Sequence, residues 1–488
     1  MLIGVLVVAA FVMILNETIM SVALPTLMTE LSIGASTAQW LTTAFLLTMA
    51  VVIPTTGFLF QRFTVRQVFT AAMTSFVVGT LLAALAPGFE VLLAARVIQA
   101  AGTAIMLPLL MTTVLSLVPE SRRGRMMGVI SIVIAVAPAV GPTISGVVLD
   151  ALGWRWMFWL VLPIAVAATG LGIALVRNVT ETRRVPLDVV SVVASVFAFG
   201  GIVYGLSSIG HSAEGAAVPV WIPLTVGVVA LVFFVLRQRR RQDAGTALLD
   251  LRPFATPAFS VGLGMIAISM MALFGALILL PMYLQNVLGL DTLATGLTLL
   301  PGGLVMGLLA PFVGRAFDRV GPRPLVIPGS LVVSAALWSM TSLDAQSGQS
   351  TVIGIHVLMS VGLSMMMTPL MTSSLGSVPP RFYSHGSAIF STVQQLAGAA
   401  GTALFVTVMS TTATARATDG ADAVAASEAG VHTAFLFGGV VSLVAVAASF
   451  FVGRRPAQSH VVGSGADTAS GVDVGIDGSS TTSAGSTR

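Results

Sequence analysis

Cysteine and lysine are both absent from this 488-residue chain, and charged residues of every kind make up only 9% of it. Without cysteine, the chain can form no disulfide, no thiolate metal site and no cysteine nucleophile. Soluble domains carry about a quarter of charged residues, so too little charge is present here to cover a water-exposed surface. Phosphate-binding loops, metal-spaced histidine clusters and nucleophile–base arrangements are also missing. The sequence therefore predicts neither a soluble protein nor an enzyme, and no cofactor.

Long apolar runs replace the missing charge, with 56% hydrophobic residues and a mean hydropathy of +0.98. A membrane-spanning helix needs about 20 apolar residues, and windows of that length predict about fourteen spans in an all-α polytopic membrane protein. We expect an outer loop from Thr411 to Gly430 and a disordered cytoplasmic tail over residues 454–488. The predicted spans are residues 2–24, 38–60, 67–87, 91–116, 126–149, 155–176, 186–208, 217–236, 257–281, 292–314, 325–343, 351–375, 386–411 and 433–453.

Arginines recur in every second loop between these spans. They follow each even-numbered span, whereas the alternate loops hold little beyond Arg155 and Arg416. Cytoplasmic loops of membrane proteins are enriched in basic residues. An even number of spans with both termini in the cytoplasm explains the alternation, so we predict a multi-pass protein of the inner (plasma) membrane.

Two of the arginine-rich loops are related in sequence. Residues 57–66 read Gly-Phe-Leu-Phe-Gln-Arg-Phe-Thr-Val-Arg, and residues 314–323 read Gly-Arg-Ala-Phe-Asp-Arg-Val-Gly-Pro-Arg. Arginine and a carboxylate in such loops can form a latch at the cytoplasmic mouth, although a simple positively charged turn is the alternative. The candidate gate residues are Gly57, Gln61, Arg62, Arg66, Gly314, Asp318, Arg319 and Arg323.

The repeat also predicts how the chain is divided. Recurrence after the second and tenth spans indicates two homologous halves of about six spans each, separated by two inserted spans. We expect an N-terminal six-helix bundle over residues 1–184, two linker transmembrane helices over 185–242, and a C-terminal six-helix bundle over 243–453.

Three further segments carry a family resemblance. Residues 15–25 read Leu-Asn-Glu-Thr-Ile-Met-Ser-Val-Ala-Leu-Pro, residues 96–102 read Arg-Val-Ile-Gln-Ala-Ala-Gly, and residues 137–146 read Ala-Pro-Ala-Val-Gly-Pro-Thr-Ile-Ser-Gly. Together they resemble the major facilitator superfamily, and within it the fourteen-helix drug:proton antiporters of the EmrB/QacA type. The resemblance implies a major facilitator fold of two six-helix bundles plus two extra helices, and proton-coupled efflux of drugs by alternating access.

The chain departs from this family at two positions. The usual aspartate of the first gate loop is Gln61, and the usual aspartate of the first span is Asn16, with Glu17 beside it. The first departure puts a charged latch in the N-terminal half in doubt, whereas Asp318 keeps it in the other half. The Asn-Glu-Thr sequence and Gln61 are similar to the lincomycin-resistance subgroup.

Two charged residues, Glu17 and Arg96, lie well inside predicted spans. Each charge in the membrane costs at least about 2.5 kcal/mol, so each requires a reason. At about 1.5 Å per residue, Glu17 lies about 10 Å and Arg96 about 8 Å from the outer ends of their spans, which allows a pair. We hypothesise that Glu17 carries the coupled proton and that Arg96 controls its release; the alternative is a static salt bridge. Asn16 and Gln99 either complete this polar patch or bond across helices.

The fifth span combines small residues with prolines. Small residues at every fourth position from 137 to 145 favour close helix packing, and each proline removes an intrahelical hydrogen bond and can introduce a bend. The family resemblance instead assigns this motif to the direction of export, and both interpretations stay open. The motif residues are Pro138, Gly141, Pro142 and Gly146.

Other polar or pliable side chains are weaker candidates. Asp188 is expected at a helix end rather than at a proton site, and His356 is either hydrogen-bonded or titrates near neutral pH. Four residues are candidates for lining a substrate cavity, with packing or lipid contact as the alternative. They are Gln394, Gln395, Met366 and Phe274.

These observations predict a proton-coupled multidrug efflux transporter for amphipathic small molecules, driven by the proton gradient. An uptake transporter for a metabolite and a non-transporting membrane receptor or scaffold are the alternatives. The expected partners are drug-like molecules, protons and the lipid bilayer, with neither nucleic acid nor an obligate protein partner.

Overall fold

The computed structural model describes residues 2–176, 186, 188–209 and 219–453, and in these ranges every regular element is helical. The predicted boundary at residue 184 and the predicted tail over 454–488 lie outside the described residues. The helices are α1 (Leu2–Glu30), α2 (Ala35–Val52), α3 (Thr56–Arg62), α4 (Val65–Ala84), α5 (Phe89–Leu117), α6 (Glu120–Leu152), α7 (Trp154–Leu175), α8 (Val189–Ser195), α9 (Gly201–Ile209), α10 (Trp221–Gln242), α11 (Pro257–Asn286), α12 (Thr292–Val320), α13 (Arg323–Met340), α14 (Gln349–Gly376), α15 (Tyr383–Thr418) and α16 (Ala423–Ser449).

Thirteen segments of the described chain are long and apolar enough to cross a membrane. The pair α2 and α3 forms one of them through a short 3-10 turn, and α8 and α9 form another through a π turn. A further long helix, α6, has 33 residues and occupies the position of the predicted fifth span. Each predicted span therefore falls on a helix, and the all-α, multi-pass architecture is confirmed.

The loop predicted from Thr411 to Gly430 is shorter than expected, because only residues 419–422 separate the two helices there. Helix α15 continues to Thr418, and α16 already begins at Ala423. Asp422 starts α16 because its Oδ1 accepts a hydrogen bond from the backbone N–H of Ala425 at 2.7 Å. The segment is rich in alanine, the strongest helix former, so its helices extend beyond the apolar window that defines a span.

Helices α6 and α12 touch backbone to backbone, and this contact joins the chain before α8 to the chain after α10. A Cβ atom added to Gly128 would lie 2.5 Å from the carbonyl oxygen of Ala310, and one added to Gly124 would lie 2.5 Å from that of Gly314. Glycine is required at these crossings because any side chain would force the helices apart. The contact ends beside the arginine-rich loops.

Asp188 lies at the start of α8, so its interpretation as a helix-end residue is confirmed. Its carboxylate accepts from the backbone N–H of Ser191 and pairs with Arg237 and Arg241 of α10 at 2.9 and 3.1 Å. Burial raises the pKa of Asp188, but the hydrogen bonds from Arg237 and Ser191 outweigh burial and lower the pKa to about 2. This carboxylate fastens α8 to α10.

Candidate functional site

The guanidinium of Arg96 is the centre of a buried polar cluster between α1, α2 and α5. The residue is 1% exposed. Its Nη1 donates to Oδ1 of Asn16 and to Oε1 of Gln99, both at 3.1 Å. Its Nε donates to the carbonyl of Leu41 at 3.4 Å, and the group lies 4.0 Å from the ring centroid of Phe45. Such desolvated contacts hold the charge in one place, since each partner would otherwise be unsatisfied.

Gln99 extends the cluster to α4. Its Nε2 donates to Oγ1 of Thr80 at 2.9 Å while its Oε1 accepts from Arg96. A Cβ atom on Gly79 would lie 2.7 Å from Cγ of Gln99, so this glycine leaves the room that the amide occupies. The expectation that Gln99 bonds across helices matches this geometry.

Glu17 is half-buried on α1, next to the cluster but not bonded to it. Successive helical residues point about 100° apart, which explains why Asn16 reaches the guanidinium and Glu17 does not. Within the residues that the structure describes, Glu17 makes no salt bridge, although its charge and that of Arg96 are close enough to interact. The alternative of a static Glu17–Arg96 salt bridge is therefore not observed.

Asn16 is fully buried and only half satisfied. Its Oδ1 binds Arg96, but its Nδ2 has no hydrogen-bond partner among the described groups. An unsatisfied buried amide is unfavourable by about 1–3 kcal/mol, so its presence here requires a functional or conformational reason. The cluster thus combines a fixed guanidinium with a carboxylate and an amide N–H group that no described group binds, an arrangement that can accept and release a proton.

The small-residue face of α6 packs against α1 at the same level. A Cβ atom on Gly141 would overlap the side chain of Thr18, and Oγ of Ser145 donates to the carbonyl of Ile19 at 2.8 Å. Tight packing is therefore observed next to Glu17, and the assignment of this motif to export stays a prediction.

The other motif positions have different surroundings. Pro138 is half-buried, no described atom would lie within 4 Å of a Cβ on Gly146, and α6 continues as a helix through both prolines. The side chain of Pro142 lies outside the described part of the chain.

The two predicted gate loops are mostly helical, because residues 57–62 belong to α3 and residues 314–320 to α12. The second gate loop contacts α6 through Asp318. Its Oδ1 accepts from the backbone N–H of Gly124 at 2.8 Å, and its Oδ2 accepts from that of Arg125 at 3.0 Å. A carboxylate near the N-terminal end of a helix is stabilised by the helix dipole as well as by these bonds. A Cβ on Gly314 would overlap the carbonyl of Gly124, so Gly314 allows this approach. Arg319 is exposed, and Arg323 is half-buried at the first position of α13.

The first gate loop reaches α15 instead. Gly57 is buried against His385, and the side-chain amide of Gln61 contacts Nε2 of His385. Arg62 and Arg66 are exposed, and the guanidinium of Arg62 lies 5.9 Å from the ring centroid of Phe63. Each gate loop therefore contacts the other half of the chain. The first gate loop, which precedes α8, contacts α15, and the second gate loop, which follows α10, contacts α6.

His385 was missed by the sequence reasoning, although one signal could have found it. The loops before α6 and α15 both contain Val-Pro, at 118–119 and 378–379. Gln61 and Asp318 occupy the same position in the two related gate loops, and Val-Pro precedes both α6 and α15. Because Asp318 binds the start of α6, the repeat indicates that the partner of Gln61 lies at the start of α15.

The four cavity candidates do not meet at one place. Phe274 of α11 is 41% exposed, and a Cβ on Gly398 of α15 would lie 3.2 Å from its ring. Gln394 is half-buried one helical turn before Gly398, with Gln395 next to it. Met366 is 1% exposed and packs against Gly329 between α13 and α14.

Comparisons with known proteins agree with this architecture. The sequence profile of the Major Facilitator Superfamily matches residues 6–402. Lincomycin resistance protein LmrB of Bacillus subtilis (strain 168) is 42% identical over 456 residues, which cover 92% of this chain and 95% of that protein. A multidrug resistance protein B homolog of Mycobacterium tuberculosis is 29% identical over 404 residues, covering 82% and 74%. The solved structure of the proton:xylose symporter XylE has a TM-score of 0.63 at 16% identity and covers 93% of this chain and 95% of that one.

Proposed function

The chain belongs to the major facilitator superfamily, whose members are transporters rather than enzymes, and we propose that it exports amphipathic small molecules in exchange for protons. The names of its relatives support drug efflux, because they include lincomycin resistance and multidrug resistance proteins. Lincomycin is accordingly the first substrate to test. The scarcity of polar side chains in the spans disfavours uptake of a hydrophilic nutrient.

The proposed orientation places the arginine-rich loops and both termini in the cytoplasm. Alternation of arginine along the loops supports it, since basic loops remain on the cytoplasmic side. In this orientation the contacts of Asp318 with α6 and of Gln61 with α15 lie at the cytoplasmic mouth. The described conformation is then closed toward the cytoplasm.

The observation that carries the proposal is the carboxylate of Glu17 beside the fixed guanidinium of Arg96. A charged residue this deep in a membrane is retained for function by default. Asn16 and Gln99 keep Arg96 in place, so Glu17 can gain or lose a proton without releasing its neighbour. Protonation removes the attraction between the two charges, and this change favours one of two conformations.

Alternating access is proposed to use the contact of α6 with α12. The bundles 1–184 and 243–453 would rock about it, and the inserted helices over 185–242 would follow. Rocking toward the cytoplasm must break the two bonds of Asp318. Entry of one proton supplies about 2.3 kcal/mol per 100 mV of membrane potential, which is enough to offset one such contact.

The experiment reconstitutes the purified chain in liposomes and imposes a pH gradient. Radiolabelled lincomycin and a lipophilic cationic dye should move against the direction of proton flow, and a protonophore should abolish both fluxes. Substrate movement in the same direction as protons would indicate an uptake transporter. Absence of any flux above that of empty liposomes across a panel of amphipathic compounds would reject transport of this class.

A further inference from the structure

His385 connects three parts of the chain at the arginine-rich end. It is 2% exposed and lies in the first turn of α15. Its Nδ1 accepts a hydrogen bond from the backbone N–H of Asp250 at 3.2 Å, and its Nε2 contacts the side-chain amide of Gln61. The ring thus joins the first gate loop to the segment that follows α10.

The hydrogen bonds of this ring determine which of its two nitrogens carries the hydrogen. A neutral imidazole has one donor and one acceptor nitrogen. Because Nδ1 accepts from Asp250, Nε2 carries the hydrogen. The atom of Gln61 in contact with it is the amide nitrogen, and a 180° rotation of the amide group puts the oxygen of Gln61 in that position as the acceptor. A Cβ on Gly57 would lie 2.6 Å from Nδ1, so this glycine leaves the space in which the ring fits. Gly57, Gln61 and Asp250 therefore specify one position of His385.

The inserted helices are part of the same hydrogen-bonded chain. Gln238 of α10 is fully buried, and its Oε1 accepts from the backbone N–H groups of Leu248 and Leu249 at 2.9 and 3.2 Å. Its Nε2 donates to Oγ of Ser191 in α8 at 2.7 Å. The next residue after Leu249 is Asp250, so α8 and α10 hold the backbone group that binds His385.

The segment is fastened on its other side as well. Arg252 binds the carboxylate of Asp250 at 2.6 to 3.0 Å, and its guanidinium lies 5.1 Å from the ring centroid of Phe382, directly before α15. With its carboxylate engaged by Arg252, Asp250 offers only its backbone N–H to the histidine. The carboxylate of Asp250 therefore binds Arg252, and its backbone N–H binds His385.

We propose that His385 is a positioning residue of the cytoplasmic gate, through which the inserted helices α8 and α10 help to hold the gate closed. Gln61 replaces the aspartate usual in the family, and a neutral histidine is a suitable partner for its uncharged amide. The inference rests on the proposed transport function and adds a task for the two inserted helices, namely to set the balance between closed and open gate.

The test measures that balance directly in the full chain in liposomes. Because the chain contains no cysteine, spin labels can be attached at Ser121→Cys, in the first turn of α6, and at Ser377→Cys, at the C-terminal end of α14. Opening of the cytoplasmic mouth lengthens the distance between the labels. Substrate and gradient are omitted, so the distances report the gate even if export of the proposed substrates fails.

Two variants separate the two bonds of the histidine. In His385→Asn the amide oxygen takes the place of Nδ1 but the side chain is too short for Gln61, whereas His385→Gln reaches Gln61 and loses the acceptor for Asp250. Each should raise the open-to-closed ratio about fivefold, and His385→Ala about 25-fold. A distance distribution unchanged in His385→Ala would overturn the proposal.

The contribution of the inserted helices is tested at Gln238. Gln238→Leu removes the acceptor for Leu248 and Leu249, and Gln242→Leu is the matched control, because no described group binds the side-chain oxygen of Gln242. We expect Gln238→Leu to open the gate about fivefold and to add nothing when combined with His385→Gln. Full additivity, or an equal shift in the control, would show that α10 does not act through His385. If Gln238→Leu fails to fold, Gln238→Met, which keeps the side-chain volume, replaces it in the same comparison.

Discussion

Replacing Asp318 by asparagine should open the proposed cytoplasmic gate. Both carboxylate oxygens accept backbone N–H groups of α6, at 2.8 and 3.0 Å. Asparagine keeps one acceptor, turns an N–H group toward the other donor and removes the charge near the helix N-terminus. Loss of one charged hydrogen bond and of the dipole interaction, reduced for partial exposure to water, gives about 2 kcal/mol. The open fraction should therefore rise about 30-fold.

A single cysteine can measure this opening. Ser131 is 5% exposed and accepts a hydrogen bond from Thr368 of α14 at 2.9 Å, so Ser131→Cys places a thiol inside the contact that must separate. Its reaction with a maleimide should accelerate about 30-fold in Asp318→Asn. Asp291→Asn is the control, because it changes the carboxylate at the other end of α12, where asparagine caps equally well. Equal labelling rates in Asp318→Asn and in the parent would refute the reasoning.

Three further predictions concern other parts of the molecule. The pKa of Asp188 is lowered from 3.8 to about 2 in the folded protein, so its carboxylate stabilises the folded state by about 2 kcal/mol. This stabilisation is complete above pH 3.8 and is lost as the pH falls through about 2. Thermal unfolding in detergent should show this acid loss, and Asp188→Asn should remove it; an identical acid profile in the variant would contradict the assignment. Gly141→Val should lower the free energy of unfolding by about 1–3 kcal/mol because the added side chain overlaps Thr18. Gly146→Val should not lower it, because no described atom lies within 4 Å of the added Cβ. Equal effects of the two variants would exclude the α1–α6 contact as the cause. Arg96→Lys keeps the charge and three N–H donors, but all three leave one nitrogen, whereas Arg96 reaches its acceptors from both Nε and Nη1. Flux in liposomes should therefore fall about tenfold, the equivalent of one charged hydrogen bond; unchanged flux would show that the fork geometry is unimportant.

The spans could be predicted because a bilayer imposes its thickness on every helix that crosses it. Length and apolarity mark a crossing segment, and all predicted spans fall on helices. The loop from Thr411 to Gly430 was predicted too long for the same reason, because hydropathy identifies apolar spans and does not report on helical residues beyond them. Helix propensity, which favours alanine, was the signal that applied there.

The candidate site was predicted less completely than the fold. Counting residues along the spans predicted that Glu17 and Arg96 lie at the same depth. The rotation of α1 about its axis decides whether Asn16 or Glu17 reaches the guanidinium, and in the structure Asn16 reaches it. Rotation depends on packing against α6, where Gly141 meets Thr18. The partner of Gln61 depended on two contacts distant in sequence, with His385 and through it with Asp250, and composition carries no information on such pairs.

The measurement that tests the central claim most directly compares two kinds of transport in Glu17→Gln. In liposomes, substrate counterflow without a gradient reports binding and alternation, whereas flux driven by a pH gradient requires the proton site. Glu30→Gln is the matched control, a carboxylate on the same helix that binds Trp154 at the helix end. We predict that Glu17→Gln retains counterflow at the wild-type level and loses gradient-driven flux, while the control keeps both. Gradient-driven flux in Glu17→Gln equal to that of the control would contradict the assignment of Glu17 as the proton carrier.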